Sequence, residues 1–342
     1  MTRRVFMMTP VFMTPAMLAA ASQGPRLGVD IFSIRSQNWT PFESLDYCAR
    51  LGAKLVHFSE IRFLGAGGLD EENLRRVRAH AQKLGIDVEI GMRSCCPTST
   101  MFDPKLGTAE EQLTRMVEAA RVVGSPIVRT VLGSSADRNP IERHIESTVR
   151  VLRNVRSRAM DLGIRIAIEN HAGDMQAREL KSLVEAAGKE FVGVCLDSGN
   201  PLWTLEDPHL TLETLSPYVL TAHFRDSAVW RVPEGAAVAW VRMGEGNVGI
   251  AEYIAKFRRL CPDRAITHEI IVTNARVFPY LDPKFWETYR NQPAWEFARF
   301  LKLAESGTRR EPRPAVQGAE ALERERADLE ASVTFTRNIL NL

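Results

Sequence analysis

Four side chains that can bind a divalent cation or carry a proton lie at or near the carboxyl ends of four consecutive apolar runs. They are Glu169 in RIAIEN, Asp197 in VGVCLD, His223 in VLTAHFRD and Glu269 in AITHEI. A short apolar run bounded by turn residues, such as VGVCLD before Ser-Gly-Asn-Pro, reads as a parallel strand covered on both faces. A hydrogen-bonded core polar group accounts for any one of the four taken alone. Together they pose a conflict, because three carboxylates at close range repel one another. A divalent cation resolves it. Three oxygen donors with one imidazole favour Mn²⁺ or Mg²⁺ over a thiolate zinc site, and Zn²⁺ or Co²⁺ also suits such a set.

For the four to meet, consecutive strand ends must converge. Along the chain a helix-like stretch ends near a glycine, as at Gly52, Gly85, Gly124, Gly163 and Gly188, and an apolar run follows. Glycine past a helix end takes the left-handed conformation that satisfies the last carbonyls. The runs LGVDIFSIR, LVHFSE, DVEIGMRS and IVRTVLGS precede the four above, which makes eight. Eight strands alternating with helices over about 250 residues predict an α/β fold, a (β/α)8 TIM barrel with a C-terminal helical extension. Period-two alternation puts Ala167 and Glu169 on one face, as it does Thr221, His223 and Arg225. An open doubly wound sheet is the rival, but the glycine-rich nucleotide fingerprint after the first strand is missing.

The expected organisation is a leader over 1–23, a barrel over 24–304, and a charged linker with a terminal helix over 305–342. That helix carries Leu322, Leu329, Val333 and Leu340 near one face, suited to the barrel exterior or to the partner in a homo-oligomer. The leader rests on Thr2-Arg3-Arg4-Val5-Phe6-Met7, which resembles a bacterial twin-arginine signal, followed by an apolar stretch and Ala19-Ala20-Ala21. It predicts export to the periplasm; an uncleaved tail on a cytoplasmic protein is the alternative. No later run is long and apolar enough to span a membrane. With 44 basic against 42 acidic residues, net charge +2, the chain has no general attraction for nucleic acid. Its five cysteines show no zinc spacing and read as small core residues.

The motifs Ile168-Glu169-Asn170-His171, Leu196-Asp197-Ser198-Gly199-Asn200, His223-Phe224-Arg225-Asp226 and Gly244-Glu245-Gly246 resemble the sugar-phosphate isomerase/epimerase family of xylose-isomerase-like TIM barrels, over roughly 27–271. That resemblance implies that Glu169, Asp197, His223 and Glu269 hold one divalent metal and that Glu169 and Glu269 move protons. Two positions depart from the family pattern. Asn200 stands where a histidine is usual, and Arg225 where a lysine is common; asparagine can hydrogen-bond a substrate but cannot shuttle a proton.

The implied chemistry is isomerisation or epimerisation of a keto-sugar or polyol-derived ketone. A proton is abstracted alpha to a metal-bound carbonyl, giving an enediolate. A lyase or dehydratase on an oxidised sugar or 3-keto-glycoside would use the same first step. A non-catalytic sugar-binding barrel would not need two glutamates. His171, Asn200, Arg225 and Trp203 are the candidate substrate contacts. His171 reads equally as a loop histidine bonded to backbone. Asp226 is placed either to orient His223 or in a surface salt bridge, and His268, adjacent to Glu269 and opposite in parity, is structural. Arg35, Arg93 and Arg129 near strand ends bind an acidic substrate group or pair with internal carboxylates.

Overall fold

The structure, a computed structural model, describes residues 24–342; the expected leader lies outside them. Eight parallel strands close a barrel: β1 (Leu27–Asp30), β2 (Leu55–Phe58), β3 (Asp87–Ser94), β4 (Ile127–Val131), β5 (Arg165–Glu169), β6 (Val192–Asp197), β7 (Val219–Phe224) and β10 (Ile266–His268). Each pairs with its neighbours in chain order, and β10 pairs with β1 to complete the ring. These are the eight runs read from the sequence, DVEIGMRS and VGVCLD at full length and the other six shortened.

Between the strands run α1 (Pro41–Arg50), α2 (Glu71–Leu84), α3 (Ala109–Val123), α4 (Ile141–Leu162), α5 (Ala177–Ala187), α6 (Pro208–Leu215) and α7 (Ile250–Leu260). Their limits are written locally. Thr40 and Thr108 each form a capping box with the glutamate three residues on, Glu43 and Glu111. Gly85, Gly124 and Gly163 stop α2, α3 and α4 at φ of 65°, 86° and 67°, a conformation that costs a side-chain-bearing residue energy.

One feature was not legible as an element. After β7 the chain forms a hairpin, β8 (Asp226–Val232) and β9 (Gly235–Val241), and β11 (Arg276–Phe278) joins β9 to make a small antiparallel sheet. Under it packs α8 (Ala294–Ser306), whose Phe297 and Phe300 meet Tyr280 edge-on. The expected terminal helix is present as α9 (Gly318–Leu340), and it takes the first of its two expected places, the barrel exterior. Thr336 bonds His268 of β10 at 2.8 Å, and Glu330 accepts from Tyr47 of α1 at 2.8 Å. The terminal helix therefore fills the position of the barrel's eighth helix, with residues 271–317 inserted ahead of it. Its long separation from β10 hid that particular seat on the exterior. His268 has the structural role expected of it.

Leu329 on α9 is fully buried in the main core. Leu329→Ala should lose about 2–5 kcal/mol in denaturant unfolding. A loss within about 0.5 kcal/mol, typical of surface sites, would show that α9 is not part of the barrel core.

Candidate metal centre

Glu169 ends β5, Asp197 ends β6, His223 stands one residue before the end of β7, and Glu269 directly follows β10. Register brings them level: Asp197 lies opposite His223 and His223 opposite Thr267. The backbone N–H of Glu269 donates to Phe224 O at 3.1 Å, extending the ladder by one residue. All four side chains are buried, and one donor atom from each lies within 4.8 Å of all the others. The sequence placed these four together, and the barrel does so.

Two arginines neutralise part of the cluster. Arg129 Nε donates to Glu169 Oε2 at 2.6 Å. Arg225 Nη2 lies 2.6 Å from Asp197 Oδ2 and also donates to Glu269 Oε2. Of the three strand-end arginines, Arg129 is thus spent on an internal carboxylate, while Arg35 lies 3.8 Å from Glu325 and Arg93 is exposed. Burial opposes the Glu169 charge, but Arg129 and then His223 hold its carboxyl well below the ordinary range. Arg225 needs the glycine beside it. A Cβ on Gly199 would sit 2.2 Å from Arg225 Cγ. The far face of its guanidinium lies 4.4 Å from the Trp240 ring, a cation–π contact supplied by the unforeseen hairpin.

Beneath the four lies a layer that the sequence reading missed. His223 Nε2 bonds His57 Nδ1 at 2.9 Å and lies 3.0 Å from Asp30 Oδ2. Asp30 Oδ1 accepts from Ser59 Oγ and Phe32 N, both at 2.7 Å. Burial resists ionising Asp30, yet the His223 charge and hydrogen bond, followed by His57, bring it down to about 2. Deeper still, Glu89 accepts from Thr221 at 2.7 Å, and burial lifts its carboxyl to about 7 against that bond. A signal was present: Asp30 ends the first strand as Asp197 ends the sixth.

These residues fit a divalent ion on two counts. Asp30, Glu169, Asp197 and Glu269 bring four buried carboxylates against two guanidiniums, Arg129 and Arg225, and burial, with Glu269 and Glu169 alongside, pushes Asp197 up to about 7 despite Arg225, a mark of anionic crowding. In addition, His223 Nδ1 has no directed hydrogen bond, although it lies 2.9 Å from Glu269 Oε2 and 3.3 Å from Glu169 Oε2. A buried imidazole nitrogen facing carboxylate oxygens is placed to serve as a ligand. Although burial opposes it, the surrounding anionic groups, Glu269 and Asp30 among them, raise His223 well above the usual imidazole range.

Of the candidate substrate contacts, Asn200 and Arg225 touch this cluster directly. Asn200 Nδ2 donates to Glu169 Oε1 at 3.2 Å, while its buried Oδ1 has no partner. His171 Nδ1 contacts Gly133 O at 2.8 Å, the backbone-bonded arrangement. Trp203 stands one layer back, its ring 4.5 Å from that of Trp240. Asp226 does neither job foreseen for it. It is buried, and its Oδ2 accepts from Gly244 N and Gly246 N at 3.0 and 2.9 Å. The Gly244-Glu245-Gly246 motif is thus a cradle for this carboxylate, since a Cβ on Gly246 would approach Asp226 Oδ1 to 2.2 Å.

Residues 45–287 match the profile of the xylose isomerase-like TIM barrel family, well over half of the chain. The chain belongs to that family. It is 26% identical over 231 residues to 3-oxo-isoapionate decarboxylase of Pectobacterium atrosepticum, covering 66% of this chain and 75% of the relative. D-psicose 3-epimerase from Clostridium cellulolyticum H10, solved with D-tagatose, superposes with a TM-score of 0.59 at 13% identity, over 92% of this chain and 99% of that one. A probable 3-DHS dehydratase from Bacillus anthracis superposes with a TM-score of 0.57 at 15% identity, over 72% and 92%. At such identities the two structures establish the shared barrel and no more.

Within this xylose isomerase-like barrel, Glu89 gives a pH signature. Its folded value of about 7 exceeds the ordinary 4.5. Below pH 4.5 both folded and unfolded states are protonated and Glu89 carries no penalty. Between 4.5 and 7 the unfolded chain ionises first, so stability falls, and the loss is complete above 7. Glu89→Gln should therefore gain on the order of 3 kcal/mol over wild type at pH 8 and little at pH 4.5, as read by denaturant unfolding. An equal difference at both pH values would contradict this placement.

Proposed function

We propose that the protein is a divalent-metal-dependent isomerase or epimerase of a keto-sugar or polyol-derived ketone, with Mn²⁺ or Mg²⁺ in the four-residue centre. The observation that carries this reading is the pair Glu169 and Glu269, from β5 and the end of β10, both reaching the same imidazole nitrogen of His223. Two ionisable carboxylates then border one substrate position. A bound divalent ion there supplies Lewis acidity, drawing electrons from a carbonyl and its neighbouring hydroxyl and so acidifying the C–H between them.

The protein's own groups do the rest. One glutamate removes the proton, and the electron pair moves into the carbonyl to give an enediolate. The other glutamate returns a proton to the opposite face, which inverts the carbon, or to the adjacent carbon, which moves the carbonyl. Arg129 and Arg225 hold these carboxylates in place. Asn200 Oδ1, which lacks a donor, is offered to a substrate hydroxyl, and His171 and Arg225 flank the same region. Trp203 supports that wall through Trp240.

A second reading, a lyase acting on an oxidised sugar or 3-keto-glycoside, draws on the similar proteins, two of which are named for bond-breaking reactions, a decarboxylase and a dehydratase. It shares proton abstraction and then expels a substituent from the β-carbon. Export is also part of the proposal, supported by Arg3-Arg4 and the apolar stretch behind them. Among the described residues no helix is long and apolar enough to cross a membrane.

Glu169→Gln and Glu269→Gln should each lower turnover of a keto-sugar by about 10²–10⁴-fold while leaving circular dichroism unchanged. A panel of keto-sugars and keto-glycosides in D₂O separates the readings: deuterated epimer or isomer supports the first, released aglycone the second. Full activity in both variants, or no deuterium in any substrate, contradicts the proton-transfer roles. For localisation, Arg3→Lys with Arg4→Lys should leave the protein in the cytoplasm upon cell fractionation; unchanged periplasmic recovery would overturn the export route.

A further inference from the structure

The role of His223 depends on which ring nitrogen carries its proton, and the surroundings of Nε2 decide this. Two residues face that nitrogen, His57 Nδ1 at 2.9 Å and Asp30 Oδ2 at 3.0 Å. A histidine pair at that distance can share its proton in either direction: His223 donates to His57, or His57 donates to His223. An ionised carboxylate only accepts. A lone pair on His223 Nε2 would point beside the Asp30 oxygen, like against like, whereas an N–H there is attracted to it. We propose that Asp30 and His57 are positioning residues that fix His223 as the Nε2–H tautomer, so that Nδ1 presents its lone pair to the metal centre.

The rest of the layer fits this arrangement. Asp30 cannot turn away, because its other oxygen is held by Ser59 Oγ and Phe32 N. His57 Nδ1 also faces carboxylate oxygens, Asp30 Oδ2 at 3.8 Å and Glu89 Oε2 at 3.7 Å. His223 Nε2 is nearer to that Asp30 oxygen, at 3.0 Å, so the shared proton belongs to His223. His57 Nδ1 therefore accepts, and the His57 proton sits on Nε2. In the opposite arrangement His223 would carry its proton on Nδ1, aimed at Glu169 and Glu269, and that nitrogen could not bind an ion. Asp30 therefore acts on the centre through a histidine while never touching it. Loss of such a partner typically lowers metal affinity by about 10–100-fold.

The inference rests on the reading that the four-residue set holds a divalent ion, and the test separates the two. Wild-type protein labelled with ¹⁵N-histidine and loaded with Zn²⁺ should show, by NMR, one buried histidine ligated through Nδ1 with its proton on Nε2. Ligation of that histidine through Nε2 overturns the proposal without any variant. Mn²⁺ titration by calorimetry should then find Asp30→Asn weakened about 10-fold or more, with the fold retained by circular dichroism. The asparagine keeps the bonds to Ser59 and Phe32 through its carbonyl, but its amide can donate to His223 and reverse the tautomer. Affinity within twofold of wild type in Asp30→Asn overturns the positioning role. Absence of Mn²⁺ binding in the wild type would instead sink the metal reading itself.

Discussion

The site turns on an imbalance of buried charge. Two like charges about 4 Å apart repel by about 4 kcal/mol at an effective dielectric of 20, so carboxylates do not gather in a barrel mouth without compensation. Here two guanidiniums offset part of that repulsion, Arg129 on Glu169 and Arg225 across Asp197 and Glu269. The arginines leave the carboxylates crowded, Asp197 pushed up to about 7 by burial and by its acidic neighbours, and the positive charge of one divalent ion would relieve that crowding. Protonating His223 in the ion's absence relieves part of it, in keeping with its raised proton affinity.

The fold holds this arrangement from three directions. Closure of the barrel sets the four donors level through strand register. From below, Asp30, His57 and Glu89 supply buried polar groups, while Ile127, Ala167, Cys195 and Leu220 form a separate apolar cluster. From the mouth, the hairpin carries Trp240 over Arg225, so that arginine is sandwiched between an aromatic face and two carboxylates. Gly199 makes this approach possible, which gives the Asp-Ser-Gly-Asn turn a physical reason beyond its ligand.

Much of this was readable in the sequence, for identifiable reasons. Parallel barrel strands are short, apolar and punctuated by glycine, so their number and order showed, and a polar residue at the end of an apolar run stands out. Asp30 ends β1, but apolar Ile31 follows at once and hid that end, while His57 stands one residue before the end of β2 and so marked none. The hairpin was hidden because AAVAW alternates small residues that carry little contrast between its faces. The place of α9 depended on a contact between His268 and Thr336, 68 residues apart, which no local pattern encodes. Asp226 was misjudged because its partners are backbone amides of a glycine turn, and amides leave no residue-type signature.

The central claim is that Glu169, Asp197, His223 and Glu269 share one ion. Anomalous diffraction at the manganese edge from crystals grown with Mn²⁺ tests it most directly. The account predicts a single strong peak bonded to His223 Nδ1 and to an oxygen from each of the three carboxylates. A map with no peak there, and with Arg129 and Arg225 alone matching those carboxylates, would contradict it.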